Sequence, residues 1–136
     1  FSEVTYHAAY EPKRCVRTER YTYIRRFDEE YRRHVRPNTD PGPAKSFLLD
    51  AGFFDRERPR EALYDRYHDP NEANNLVDDP AYADVREDLS DRLREWMVET
   101  DDPLLDGPVS KPEGGKVNPQ DNVDPNQDEY EPVGLR

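Results

Sequence analysis

The sequence predicts an α+β domain in which a small antiparallel β-sheet of three to four strands is covered by a C-terminal amphipathic helix. Short segments near the start alternate apolar and polar residues, as half-buried strands do. A later segment repeats its apolar residues at helical spacing. A polar region rich in Pro and Gly then follows Asp106. We therefore expect a domain over residues 1–106, with a variable loop at 28–58, and an extended or disordered tail over residues 107–136.

The first elements are predicted to be strands. Residues 1–10, "FSEVTYHAAY", alternate in polarity and are rich in β-branched and aromatic residues, so we expect a strand that stops at Pro12. The segment "RCVRTERYTYIRRF", residues 14–27, then predicts a hairpin. Its two strands are joined by the polar connection 18–20.

The middle of the chain predicts a loop followed by two short elements. Residues 28–44 are polar, are interrupted by Pro and Gly, and have no periodicity. The apolar residues between Phe47 and Phe54 allow a helix of two turns ended by Gly52, which can adopt the left-handed conformation. The segment "EALYD", residues 61–65, suits an edge strand or a final strand.

The clearest predicted element is a helix over residues 81–100. Asp78 or Asp79 is placed to cap its first amides, with Pro80 in the permitted first turn and Pro103 beyond its end. The apolar stripe requires a packing partner, which we expect to be the preceding strands, and Trp96 is interpreted as part of the core. The stripe consists of Tyr82, Val85, Leu89, Leu93, Trp96 and Met97.

Composition excludes two classes of partner. The chain has 31 acidic against 20 basic residues and a formal charge of −11, which repels a nucleic-acid backbone. No apolar run approaches the roughly 18 residues that a membrane span needs. The bases are nearly all Arg, and this acid-rich, Lys-poor pattern is typical of proteins from a high-salt cytoplasm. A GC-rich genome would also favour Arg over Lys, so a cytoplasmic location is an expectation with an open alternative.

Two patterns suggest metal or nucleophile chemistry and are better explained without it. The segment "EALYDRYHDPNEANNL", residues 61–76, clusters acidic and amide residues, but Tyr67 and Pro70 occupy positions where a calcium loop needs a ligand and a Gly. We interpret this cluster as a turn. Cys15 lies in a strand pattern typical of a small buried thiol, although Arg14 and Arg17 would supply the positive field that activates a nucleophile.

One group of polar residues suggests a binding site. If residues 3–7 form a strand, Glu3, Thr5 and His7 share one face, and Arg14 lies just beyond the turn that follows. A carboxylate, an imidazole and a guanidinium at one edge can bind a sugar hydroxyl or a sulfate oxygen. The alternative is a solvated sheet face with ordinary ion pairs.

The sequence resembles the C-terminal part of sulfatases, in particular the heparan N-sulfatase-like branch (sulfamidase, N-sulfoglucosamine sulfohydrolase). The similar segments are "FSEVTYHAAYEPKRCVRTERYTYIRRF" and "EALYDRYHDPNEANNLVDDPAYADVREDLSDRLREWMVETDDP", which cover residues 1 to 103 apart from the variable loop. The resemblance implies that Leu63–Asp65 belongs to the last strand of the sheet. It also implies that Asp69-Pro70 is a turn leading to the terminal helix.

The resemblance further implies where the chemistry lies. Sulfatases use a formylglycine made from a Cys/Ser-x-Pro/Ala-x-Arg motif, beside a calcium ion, in a large N-terminal domain. Cys15 is followed by Val16, Arg17 and Thr18, which breaks that motif, so no catalytic residue and no metal ligand are predicted here. Because the chain starts at Phe1 rather than Met, we expect a fragment of a longer protein that is inactive alone.

The expected partners follow from the same resemblance. They are the N-terminal catalytic domain of the same sulfatase and a sulfated glycan, with a homodimer as a further possibility. Glu3, His7 and Arg14 are the residues expected nearest the substrate. The alternative is a non-catalytic binding or dimerisation module that uses the sheet edge and the tail as contacts.

Overall fold

The computed structural model describes residues 1–125 and contains one four-stranded antiparallel sheet. The strands lie in the order in which they occur along the chain, so each pairs with its sequence neighbour. This architecture confirms the predicted α+β fold, with the higher of the two expected strand counts. The strands are β1 (Ser2–Tyr6), β2 (Tyr10–Arg17), β3 (Tyr21–Arg26) and β4 (Glu61–Asp65).

The predicted hairpin is formed by β2 and β3. Its register pairs Val16 with Tyr23 and Lys13 with Arg26. The Thr18 side chain closes the connection, because its Oγ1 accepts a hydrogen bond of 2.8 Å from the backbone N–H of Tyr21. This local bond replaces the Asn-Gly or Asp-Gly turn that the sequence lacks.

The predicted strand over residues 1–10 is divided in two, and the predicted stop at Pro12 is wrong. The backbone bends after Tyr6, where the His7 N–H donates to the Ala9 carbonyl at 3.2 Å, and β2 then runs through Pro12. The register between Tyr6 and Val4 slips by one residue, so Glu11 and Pro12 face a single residue of β1. This is a β-bulge, one of the places in a sheet where a proline without an N–H is tolerated.

The long connection between β3 and β4 contains one short helix. Helix α1 spans Pro43–Asp50, beginning four residues before the predicted apolar group, and Gly52 ends it with a φ of 66°. The Gly52 N–H donates to the Leu49 carbonyl at 3.0 Å. The predicted use of Gly52 at the end of the helix is therefore confirmed.

Helix α2 spans Ala83–Glu99 and covers one face of the sheet, as predicted. The Asp79 side chain accepts a hydrogen bond of 2.9 Å from the Ala81 N–H at the start of the preceding 3₁₀ turn, Pro80–Tyr82. The apolar stripe of α2 faces the sheet and forms the core with it. The buried core residues are Val16, Tyr23, Leu63, Val77, Leu89, Leu93, Met97 and Leu104.

Trp96 lies at the edge of this core. Its ring is half-buried and stacks face to face on Phe1, with ring centroids 5.1 Å apart and planes inclined by 3°. Sequence periodicity places Trp96 on the apolar stripe but does not distinguish the centre of the stripe from its edge. Within the described part of the chain, no helix is both long and apolar enough to cross a membrane.

Residues 108–125 of the polar C-terminal segment lie against the sheet. Tyr6 Oη donates to the Val109 carbonyl at 2.6 Å, Asn118 forms a parallel bridge with Ala9, and Gln120 Nε2 donates to the Tyr10 carbonyl at 2.8 Å. These contacts hold the segment to β1, β2 and the bend between them. The remainder of the predicted tail, residues 126–136, lies outside the described residues.

Candidate functional site

Arg14 is the centre of a buried polar cluster on the face of the sheet that α2 covers. Its side chain is 1% exposed and forms a bidentate ion pair with Asp102, with Nε 2.5 Å from Oδ2 and Nη2 3.0 Å from Oδ1. Nη1 donates to the carbonyls of Val4 and Lys13, and Nη2 also donates to Thr5 Oγ1. All five guanidinium N–H groups therefore have acceptors, and none is left for a ligand.

The structure brings two of the three predicted site residues together. Glu3 and Arg14 are cross-strand partners, and Glu3 Oε2 lies 3.4 Å from Arg14 Nε. The Glu3 side chain is 60% exposed, so it is the member of this pair that faces solvent. His7 lies in the exposed bend after β1, and within residues 1–125 its side chain forms no hydrogen bond or ion pair with Glu3 or Arg14.

Asp102, which the sequence did not identify, has two structural roles. Besides pairing with Arg14, its Oδ1 accepts a hydrogen bond of 3.0 Å from the Leu104 N–H and so caps the 3₁₀ turn Pro103–Leu105. Burial raises the pKa of the Asp102 carboxyl, but the hydrogen bonds from Arg14 and Leu104 and the Arg14 charge outweigh it and lower the pKa overall. The Asp-Pro pair is a turn-initiating signal and was the only indication in the sequence.

A second buried cluster lies around Glu11, at the bulge of β2. Glu11 forms an ion pair with Arg58 and a hydrogen bond of 2.8 Å from Asn38 Nδ2, and Lys13 Nζ lies 3.1 Å from its Oε1. Burial raises the pKa of the Glu11 carboxyl, but the Asn38 hydrogen bond and the charges of Lys13 and Arg58 lower it overall. Glu11 is therefore held as a carboxylate shared by three donors.

His34 adjoins the Glu11 cluster and is kept neutral. Its ring packs on Phe53, with centroids 4.0 Å apart. Burial, together with the positive charges of Arg58 and Arg26, lowers the pKa of His34 from 6.5 to about 4. No histidine pairing in the sequence indicated this environment, because the residues that create it are distant along the chain.

Cys15 lies on the sheet face opposite to Arg14, since neighbouring strand residues alternate in direction. The thiol is free and half-buried, and burial raises its pKa. A higher pKa lowers the fraction of thiolate, which is the nucleophilic form.

The acidic and amide segment after β4 forms turns, as predicted. Asp65 accepts a bidentate interaction from Arg20 and a hydrogen bond from the Tyr67 N–H, and Asp69 Oδ2 accepts from the Asn74 N–H at 2.8 Å. The side chains thus bind the local backbone and neighbouring residues. Among residues 1–125, no group of His, Cys, Asp or Glu side chains is arranged to hold a metal ion.

The known proteins that are similar in sequence to this chain include three sulfatases. The ulvan-active sulfatase of Formosa agariphila is 31% identical over 110 residues, which cover 77% of this chain and 22% of that protein. Human N-sulphoglucosamine sulphohydrolase is 44% identical over 63 residues, covering 46% of this chain and 12% of that protein. The uncharacterized sulfatase YidJ of Escherichia coli is 49% identical over 44 residues, covering 32% and 9%. No family model matches the chain.

The chain is therefore related in sequence to the sulfatase family. The similarity includes an N-sulphoglucosamine sulphohydrolase, the branch that the sequence motifs resemble. The matched region spans less than a quarter of the length of each of these relatives. The chain thus corresponds in length to a part of each of these relatives.

Proposed function

We propose that this chain is the C-terminal substrate-cleft and structural subdomain of a sulfatase that hydrolyses sulfate esters or sulfamates on glycans. The observation that carries the proposal is the match to a sulfatase over 77% of this chain but only 22% of that protein. Such a pattern is expected when a subdomain is compared with a complete enzyme. The catalytic groups then belong to a separate N-terminal domain, which is the expected partner.

The residues of this chain do not fit the cofactors of a sulfatase. Cys15 lies outside a formylglycine motif, and its neighbours in the strand, Arg14 and Val16, are buried in the fold. The carboxylates at residues 65–72 bind the backbone, Arg20 and Thr22. We therefore assign formylglycine and calcium to the N-terminal domain of the proposed parent enzyme.

Within this subdomain, Glu3 is the residue best placed to meet a substrate. It is exposed, and Arg14 holds its carboxylate near one position while remaining fully occupied by other acceptors. His7, the exposed residue directly after β1, can supply a second hydrogen bond to a sugar hydroxyl. Arg14 acts on the substrate only through Glu3, as a positioning residue.

The test measures sulfatase activity with and without the catalytic domain. The chain alone should not release sulfate from an aryl sulfate or from N-sulfoglucosamine. In the full-length sulfatase that carries the chain, Glu3→Gln should raise KM for the glycan substrate about tenfold, because a lost hydrogen bond to a charged group costs about 1.5–3 kcal/mol. His7→Ala should raise KM by a smaller factor, because an ordinary hydrogen bond contributes about 0.5–1.5 kcal/mol.

Glu95→Gln, on the exposed surface of α2, is the matched control and should leave KM unchanged. Turnover by the chain alone would contradict the division of roles between the two domains. Unchanged KM in both variants would remove Glu3 and His7 from the substrate site.

A second candidate is a non-catalytic dimerisation module, favoured by the free edge of β1. Among residues 1–125 that strand pairs only with β2, and next to it Phe1 is 55% exposed and stacks on Trp96. An unpaired strand edge beside an apolar surface is suited to pairing with a second copy. Sedimentation that shifts from monomer to dimer with concentration, and that Phe1→Ser reverses, would support this candidate.

A further inference from the structure

A small pocket rich in arginine lies beside the β2 bulge, on the face of the sheet opposite to α2. Lys13 and Arg26 are cross-strand partners on this face, since Val16 and Tyr23 point to the other. The enclosed space is about 10 Å³ and opens to solvent. We call it the arginine pocket, and its charged lining residues are Arg26, Arg32, Arg58, Arg60, Glu11 and Asp28.

Arg26 carries a guanidinium charge that forms no ion pair with a carboxylate among residues 1–125. Its Nη1 donates to the Pro59 carbonyl at 2.9 Å, but within residues 1–125 it forms no ion pair. Its Nε is buried and has no hydrogen-bond partner among the described residues. Burial and the nearby charge of Arg58 lower the pKa of Arg26. Arg26 is half-buried, and its buried Nε–H lacks an acceptor from this part of the chain, so an anion oxygen at this position would supply one.

Arg58, which also lines the pocket, has a second donor without an acceptor among residues 1–125. Its side chain is 9% exposed and pairs through Nη1 with Glu11, yet its Nε is buried without a partner in the described chain. Glu11 already accepts from three other donors, since Arg58 and Lys13 bind one oxygen and Asn38 binds the other. The buried Nε–H groups of Arg26 and Arg58 therefore both lack an acceptor in the described part of the chain.

The other charged groups at the pocket do not offset this excess. Asp28 is already engaged, since its Oδ1 accepts from the N–H groups of Glu30 and Tyr31 and its Oδ2 accepts from Gln120. Arg60 pairs with Glu29 outside the pocket. The lining thus has four arginines against two engaged carboxylates, in a chain whose total charge is −11.

We propose that the arginine pocket binds one oxyanion group, a sulfate or a carboxylate, between Arg26 and Arg58. Planar guanidinium groups recognise oxyanions through paired N–H donors. The enclosed volume admits about one water-sized atom, which corresponds to a single anion oxygen with the rest of the group in the open mouth. The oxyanion comes either from a free inorganic ion or from a sulfated glycan, and this site is separate from Glu3 and His7.

The first experiment measures anion binding to the full chain by isothermal titration calorimetry, with sodium sulfate, sodium acetate and a sulfated oligosaccharide as probes. Arg26→Gln should weaken binding about tenfold, because it removes a charged donor. Arg26→Lys keeps the charge but loses the paired donors, and it should weaken binding to a smaller extent. Arg66→Gln is the matched control, because it removes one positive charge near the β2–β3 connection, where Arg66 Nη1 donates to Thr18.

The probes distinguish the two sources of the anion. Tighter binding of the sulfated oligosaccharide than of inorganic sulfate would identify a glycan, and equal binding would identify a free anion; both outcomes support the pocket. Absence of binding for all three probes would overturn it. Equal weakening by Arg66→Gln would also overturn it, because the effect would then be one of net charge.

The second experiment uses unfolding and does not depend on detecting heat. Urea unfolding of the full chain is followed with sulfate added at constant ionic strength. Sulfate should raise the wild-type midpoint more than the Arg26→Met midpoint, because only the wild type also gains stability from binding. An equal rise in both proteins would contradict the proposal, because sulfate also stabilises folded proteins by exclusion from their surface.

Discussion

The two faces of the sheet each bury an arginine, and they treat its charge differently. On the face under α2, Arg14 gives all five N–H groups to acceptors, and Asp102 neutralises it. On the opposite face, Arg58 shares Glu11 with Lys13, and Arg26 has no carboxylate partner within residues 1–125. Arg14, on the face under α2, thus has all its acceptors within the chain. On the opposite face, the anion that we propose would supply the acceptors that the chain lacks.

The substitution with the greatest predicted effect removes the counter-ion of Arg14 on the face under α2. Asp102→Asn keeps the shape of the side chain but leaves Arg14 buried without its counter-ion, which costs about 3 kcal/mol or somewhat more. The free energy of unfolding from urea titration measures this loss. Asp101→Asn is the matched control, since Asp101 is exposed and its positive φ of 51° suits Asn.

The control should change stability by less than about 0.5 kcal/mol, as is usual at the surface. An equally small loss for Asp102→Asn would mean that Arg14 finds another partner, and the contrast between the two faces would disappear.

The next prediction concerns how stability depends on pH through His34, which adjoins the Glu11 cluster. His34 has a folded pKa of about 4 against 6.5 when unfolded, so the unfolded chain binds more protons between these values. Its contribution to stability is complete above pH 6.5 and is lost as the pH falls toward 4. Because the ring is partly exposed and screened by solvent, we expect about 1 kcal/mol rather than the full value.

The test compares wild type with His34→Gln by urea unfolding at several pH values. The wild type should lose more stability than the variant as the pH falls from 6.5 to 4. Subtracting the free energy of unfolding of one protein from that of the other at each pH cancels the contributions of Glu11 and Asp102, which are common to both. Parallel profiles would show that His34 is free to ionise in the folded chain.

The weakest predicted effect concerns Glu3, the exposed partner of Arg14. Glu3→Gln removes an ion pair of 3.4 Å in which Glu3 is 60% exposed, and such pairs contribute about 0–1 kcal/mol. We expect a change below about 0.5 kcal/mol in the free energy of unfolding. A loss as large as that of Asp102→Asn would mean that Glu3 is a structural partner of Arg14, and its assignment to the substrate would then be doubtful.

Sequence periodicity predicted the elements well and the polar clusters poorly. Helix α2, the β2–β3 hairpin and β4 were all predicted, because each is specified by residues close together in the chain. The continuation of β2 through Pro12 was missed, since a bulge depends on how the neighbouring strand is paired. The convergence of Glu3 with Arg14 was predicted from strand alternation, but Asp102 was not, because it lies 88 residues from Arg14.

The apolar stripe of α2, the alternating strands and the resemblance to sulfatases can all be read from the amino-acid sequence. These features depend on local periodicity and on short ordered motifs. Which arginines are neutralised could be seen only in the folded structure. Arg14 pairs with Asp102, and Arg58 pairs with Glu11, which lies 47 residues away in the sequence. The physical reason is that the energy of a buried charge depends on the groups within a few ångströms of it, and the folded sheet alone brings those groups together.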